Sequence, residues 1–140
     1  MKLLLVAACA LIDTDGRILM SQRPDGKDHA GLWEFPGGKV EDGERPEQTI
    51  RRELWEELNV EPCEQCLQAF NFSSHTYADF HLVMPLYLCR QWDGMVRPQE
   101  GQQVRWVFPD RICDLDLVPA DIPLALELRD RLVRGQRFVR

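Results

Sequence analysis

Gly38-Lys39-Val40-Glu41-Asp42-Gly43-Glu44-Arg45-Pro46-Glu47-Gln48-Thr49-Ile50-Arg51-Arg52-Glu53-Leu54-Trp55-Glu56-Glu57-Leu58-Asn59-Val60 is the stretch on which the fold turns. Pro46 suits the first turn of a helix, where its missing N–H costs nothing. Ile50, Leu54 and Leu58 then form one apolar stripe. Asn59 tolerates the left-handed conformation that stops a helix, and Pro62 prevents continuation. On this helix Glu53, Glu56 and Glu57 stand at i, i+3 and i+4 and leave from one face. At about 6 Å each carboxylate pair repels by roughly 0.7 to 2.8 kcal/mol, for an effective dielectric of 80 down to 20. Two readings follow. The face is a solvated acidic stripe, eased by Arg52 near Glu56 and by Glu47 near Arg51, or it is a site that collects divalent cations.

The segment before the helix decides between them. Gly38, five residues, Glu44, seven residues, then Arg52-Glu53-Leu54-Trp55-Glu56-Glu57-Leu58-Asn59-Val60 resembles the Nudix box, G-x5-E-x7-R-E-U-x-E-E-x-G-U with U aliphatic. The single departure is Asn59 in place of the last Gly, a mild change at a helix stop. The resemblance implies a Nudix fold, an α/β (α+β) domain with a mixed β-sheet sandwiched between α-helices. It also implies a hydrolase using Mg²⁺, with Mn²⁺ able to substitute. Hard cations of this kind prefer oxygen ligands and polarise phosphate oxygens. By the same resemblance Glu56 and Glu57 are metal ligands. Glu53 is ligand-adjacent and the leading candidate base for the attacking water. Glu44 pairs with Arg52 in support, Gly38 shapes the turn, and the Gly37 carbonyl is a further ligand.

Beyond the box, the chain is similar to the MutT group, which removes oxidised nucleotides, and to relatives that hydrolyse CTP-like substrates. Ser21-Gln22-Arg23-Pro24 and Gly31-Leu32-Trp33-Glu34-Phe35-Pro36-Gly37-Gly38-Lys39 carry this likeness. It places Arg23 and Lys39 on substrate phosphates and Glu100 on a loop, as an extra carboxylate for metal or for deprotonating water. Leu117 to Leu124 resembles the segment that reads the nucleobase, here through Asp121; an Asp before Ile122-Pro123 is equally an ordinary helix cap. Phe35, Tyr77 and Phe80 are candidates to pack against a base, or are core residues of strands. The expected substrate is a nucleoside triphosphate cleaved to monophosphate and pyrophosphate, 8-oxo-dGTP first, then CTP, dCTP or a 5-modified dCTP. Thr76 stands where ADP-ribose hydrolases carry Pro, and the signatures of NADH and CoA branches are missing. Two rivals are a non-catalytic nucleotide-sensing Nudix module, which is expected to lose box carboxylates, and an enzyme acting on RNA 5′ ends.

Outward from the box, Leu3 to Leu11 and Ile18 to Met20 read as strands of a hairpin turned by Asp13-Thr14-Asp15-Gly16. Segment 24–31 reads as a loop, Leu32 to Phe35 as a short strand, and Pro36-Gly37-Gly38 as a tight turn. Further strands are expected at Gln68 to Ser73, His81 to Cys89 and Val104 to Phe108, and a last helix from Pro123 to Val133. The expectation is one domain over residues 1–140.

Net charge −6 argues against a nucleic-acid polymer as partner, while a small polyanion remains admissible where carboxylates hold cations. Five scattered cysteines make a poor disulfide framework and fit a reducing cytoplasm; Cys63 and Cys66 form a CxxC without recognised zinc spacing. The run from Leu3 to Ile12, with Val6-Ala7-Ala8-Cys9 inside it, is too short for an export signal, and no later segment approaches a membrane span.

Overall fold

The computed structural model describes residues 1–132. Its centre is β1 (Lys2–Leu11), whose alternating side chains serve two cores at once. Ala7, Cys9 and Leu11 face one apolar cluster, and Ala8 and Ala10, with Ile12 just beyond the strand, face the other. β1 lies between β4 (Gly37–Lys39), antiparallel, and β7 (Phe80–Cys89), parallel; β6 (Gln68–Thr76) completes the sheet beside β7. A second, antiparallel sheet runs β3 (Trp33–Glu34), β2 (Ile18–Gln22), β9 (Val104–Val107). A small ribbon joins β5 (Glu61–Pro62) to β8 (Trp92–Asp93).

Helix α1 (Pro46–Leu58) packs Ile50, Leu54 and Leu58 onto the Cys9 side of β1, and α2 (Ile122–Arg131) packs Leu124, Ala125 and Leu128 onto the Ala8 side. The mixed sheet is thus sandwiched between helices, as expected. Each fully buried leucine contributes about 1.5 to 3 kcal/mol. Val133, where the last helix was expected to end, lies outside the described residues.

Helix α1 starts and stops for local reasons. The Arg45 N–H donates to Gln48 Oε1 at 2.8 Å, half of a capping box, and Pro46 occupies the first turn. Asn59 closes the helix in the left-handed conformation, φ 59°.

Three expectations are corrected. β1 and β2 do not form a hairpin: they belong to different sheets, linked by one bridge between Ile12 and Ile18. Pro36-Gly37-Gly38 is not only a turn. Gly37–Lys39 is a strand on β1, pairing Ala7 with Gly38 and Ala8 with Gly37, because glycine lets this backbone approach closely. A Cβ on Gly37 would lie 2.1 Å from the Ala7 carbonyl oxygen. Finally, Cys63 and Cys66 are joined in a disulfide, since a 3₁₀ turn over Glu64–Cys66 brings their Cα atoms to 5.1 Å. Cys9, Cys89 and Cys113 are free. Among the described residues no helix is long and apolar enough to cross a membrane.

Candidate active site

A cleft of about 880 Å³ opens where the β4 edge, the α1 face, the 97–102 loop and the β3 strand meet, and Gly37, Gly38, Lys39, Glu53, Glu57 and Glu100 line one part of it. Another concavity, of about 850 Å³ over the β5–β8 ribbon, contains none of the box carboxylates. The first is therefore the candidate active site.

Arg52 organises the acidic face. Its Nε donates to Glu44 Oε2 at 2.7 Å, Nη2 reaches Glu44 Oε1 and the Lys39 carbonyl at 3.1 Å each, and Nη1 reaches Glu53 Oε1 at 2.8 Å. The same Nη1 lies 3.5 Å from Glu56 Oε2. Glu44 also accepts from the Thr49 hydroxyl at 2.7 Å and the Glu41 N–H at 3.1 Å. The Arg52 hydrogen bonds, followed by those from Thr49 and Glu41, hold the Glu44 carboxyl down at about 2. Glu44 is thus a fixed anion that holds Arg52 between the helix and β4.

Glu53 and Glu57 are different. Burial raises the Glu53 carboxyl, against the pull of Arg52 and with help from the charges of Glu56 and Glu100. Glu57 is pushed up to about 9, by burial first and then by Glu53, Glu100 and Glu34; the Gly37 N–H, 3.2 Å from Glu57 Oε2, opposes this. Three carboxylates therefore repel one another in a partly desolvated wall, a state that a bound cation would relieve. A Cβ on Gly38 would meet the Glu53 carboxyl carbon at 2.4 Å, so a side chain there displaces that carboxylate. Glu56, expected as a ligand, is exposed beside Arg52 and does not line the cleft, whereas Lys39 is exposed on the cleft wall.

The remaining wall is aromatic and holds the other acids. Phe35 is buried and its N–H donates to Asp121 Oδ2 at 2.8 Å. Asp121 flanks α2 but makes no side-chain cap. Burial pushes its carboxyl up to about 8, against the Phe35 hydrogen bond, and the Glu34 charge adds to the rise. Tyr77 packs against Phe80 (centroids 5.1 Å), His75 (4.6 Å) and His29 (5.6 Å), and its hydroxyl accepts the Ala120 N–H at 3.3 Å. Arg23 lies on this side. Its Nη1 is 3.2 Å from both Glu34 oxygens, and its Nε donates to the Asp28 carbonyl. In this arrangement the Arg23 fork is engaged by Glu34, whose carboxyl is raised by burial. A phosphate would have to compete with that pair.

Glu34 was missed in the sequence, where it counted only as part of a pattern. Its signal was the two-residue alternation of a strand: Trp33 and Phe35 are buried in the core while Glu34 between them faces the cleft. Gln102 was missed as well; it is a buried polar residue in the loop that carries Glu100.

The NUDIX domain model matches residues 2–128. The chain belongs to the Nudix family. Among its relatives, the CTP pyrophosphohydrolase of Escherichia coli K12 is 40% identical over 126 residues, covering 89% of this chain and 90% of that protein. The 8-oxo-dGTP diphosphatase of the same strain is 32% identical over 129 residues, covering 92% and 98%. A solved MutT structure, from a study of the Aliivibrio salmonicida and Vibrio cholerae proteins, superimposes with a TM-score of 0.80 at 32% identity, covering 94% of this chain and all of that one. With Glu53 and Glu57 of the box lining a formed cleft, this chain is a Nudix hydrolase.

Proposed function

We propose that residues 1–140 form one Nudix hydrolase domain that cleaves a nucleoside triphosphate to a monophosphate and pyrophosphate, with Mg²⁺ or Mn²⁺, in the cytoplasm. The observation that carries this reading is the gathering of Glu53, Glu57 and Glu100 along one cleft beside the Gly37-Gly38 backbone. That donor set is all oxygen, the set that hard divalent ions prefer. Among the described residues no three acidic, histidine or cysteine side chains are gathered tightly enough to hold an ion by themselves. Glu53, Glu56, Glu57, Glu100 and the Gly37 carbonyl would hold it together with substrate oxygens. When bound, such an ion neutralises the polyphosphate and lowers the barrier to water attack.

The chain's own groups do the rest. Glu53 accepts the proton of the attacking water, and its raised pKa brings it closer to the operating pH of a general base. Glu100 reaches the same space from the opposite loop and is the second candidate for that proton. Lys39 meets phosphate as a point charge, and Arg23 does so by exchanging Glu34 for a phosphate oxygen. Glu44 and Arg52 keep Glu53 aimed.

The base lies against Tyr77, Phe80 and the edge of Phe35, and Asp121 reads it. A protonated carboxyl both donates and accepts, which matches the O6 and N7–H edge of an 8-oxopurine. The leading substrate is therefore 8-oxo-dGTP. The second reading is a cytosine triphosphate, whose N3 and amino group match the same acid, and the 40% identity to a CTP pyrophosphohydrolase favours it. Pyrophosphate release from 8-oxo-dGTP, dGTP, dCTP, 5-methyl-dCTP and CTP with Mg²⁺ tests both. Faster turnover of dCTP reverses the order, and orthophosphate as the first product removes the proposed cleavage.

A further inference from the structure

Gln102 is buried, with 7% of its surface exposed, although Glu100 and Gly101 before it are exposed. A buried side-chain amide is costly unless its donors and its oxygen are bonded. Here both ends are used. Nε2 donates to the Glu57 main-chain carbonyl at 2.9 Å, and Oε1 accepts the Glu100 main-chain N–H at 2.8 Å. Gly101, at φ +76°, supplies the left-handed turn between Glu100 and Gln102. The last carbonyls of a helix have no partner within it. In α1 they are met from this segment: Gln99 N–H donates to the Glu57 carbonyl at 2.9 Å and Arg97 N–H to the Leu58 carbonyl at 2.8 Å.

We propose that Gln102 is a positioning residue for Glu100, its amide tying the Glu100 backbone to the turn of α1 that carries Glu57. The two carboxylates come from residues far apart in sequence, on a helix and on an exposed loop. A loop on its own would let the Glu100 carboxylate wander over several ångströms. The Arg97 and Gln99 N–H groups hold the chain before Glu100 to the helix end, and the buried Gln102 amide, bonded at both ends, fixes the Glu100 backbone itself in that frame. The charge of Glu100 is felt at both Glu53 and Glu57, so its distance from them is chemically consequential. The inference rests on the reading of Glu100 as a working carboxylate of the site.

Gln102→Met keeps the length of the side chain and removes both hydrogen bonds. Steady-state kinetics with Mg²⁺ and 8-oxo-dGTP, repeated with dCTP, are compared for wild type, Gln102→Met, Glu100→Gln and the double variant. Gln102→Met is expected to lower kcat by about tenfold, the lower end for loss of a group that orients a ligand. KM should change by less than about twofold, and the double variant should be no slower than Glu100→Gln alone, because the two residues act through one group. A full-rate Gln102→Met beside a slow Glu100→Gln overturns the inference and leaves the Glu100 role standing. Losses that multiply also overturn it, since Gln102 would then act on α1 independently. A full-rate Glu100→Gln overturns the Glu100 role and the inference with it. A readout free of catalysis uses the metal-free wild-type protein: the Glu100 amide should exchange at least about tenfold more slowly than in an unstructured peptide, despite its exposed loop. Exchange at the unstructured rate contradicts the proposal whatever the variants do.

Discussion

The two walls of the cleft both carry carboxyl groups raised by burial, yet they are built in opposite ways. On the acidic wall Glu53 and Glu57 come from adjacent turns of one helix, and their neighbour Glu44 is held ionised by Arg52. On the aromatic wall Asp121 is fixed by the N–H of Phe35, 86 residues away in sequence. One wall is a local device and the other is assembled by tertiary packing. Repulsion on the first has a remedy in a cation, whereas the buried acid of the second is relieved by keeping its proton. On the reading proposed above, the same physical shift would serve charge collection on one side and hydrogen-bond recognition on the other.

The contrast can be broken most sharply at Glu53. Glu53→Gln should lower kcat by at least about 10²-fold, the scale of a lost general base or metal-site carboxylate. Near-normal turnover would remove Glu53 from its role. For Glu57→Gln, the Mg²⁺ concentration for half-maximal rate should rise about 10- to 100-fold. An unchanged Mg²⁺ titration would count against Glu57 as a ligand.

The two adjacent glycines separate structure from chemistry. Gly38→Ala pushes a methyl into the Glu53 carboxylate, so kcat should fall about tenfold with little change in Tm. Gly37→Ala meets the Ala7 backbone instead and should destabilise the fold by about 1 to 3 kcal/mol, read from denaturant unfolding. Equal effects of the two on stability would contradict this division.

The smallest effect lies on the aromatic wall. Asp121 has a folded pKa of about 8 against an ordinary value of 3.8, so the native state binds the extra proton. Its contribution to stability is full below about pH 4 and is lost as pH rises through about 8. Metal-free wild type should therefore lose a few degrees of Tm from pH 5 to 8, while Asp121→Asn, a neutral mimic, should lose less. Parallel pH profiles for the two proteins would show that Asp121 is ionised throughout.

The legibility of the sequence follows the same division. Helix α1 could be bounded from Pro46 and Asn59 alone, and the acidic face and its Arg52 and Glu44 support lie within one short span of chain. The alternation in β1 marks a strand, but nothing local says that Ile12 and Ile18 meet in a single bridge while their strands join different sheets. Pro36-Gly37-Gly38 looks like a turn because glycine usually serves turns; its close approach to Ala7 depends on a strand some thirty residues earlier. Glu34 escaped notice for a related reason, since its partner Arg23 and its neighbour Asp121 converge only when three segments pack. Gln102 has no spacing signature and is identified only by its two hydrogen bonds.

Titration of Mn²⁺ into metal-free protein saturated with a non-hydrolysable nucleoside triphosphate, with free ion followed by electron paramagnetic resonance against the nucleotide alone, addresses the acidic wall most directly. Wild type should take up Mn²⁺ at a site that the Glu53→Gln/Glu57→Gln double variant weakens by about tenfold or more, with the fold intact by circular dichroism. Superimposable free-Mn²⁺ curves for the two proteins would contradict the claim that these carboxylates exist to gather a cation.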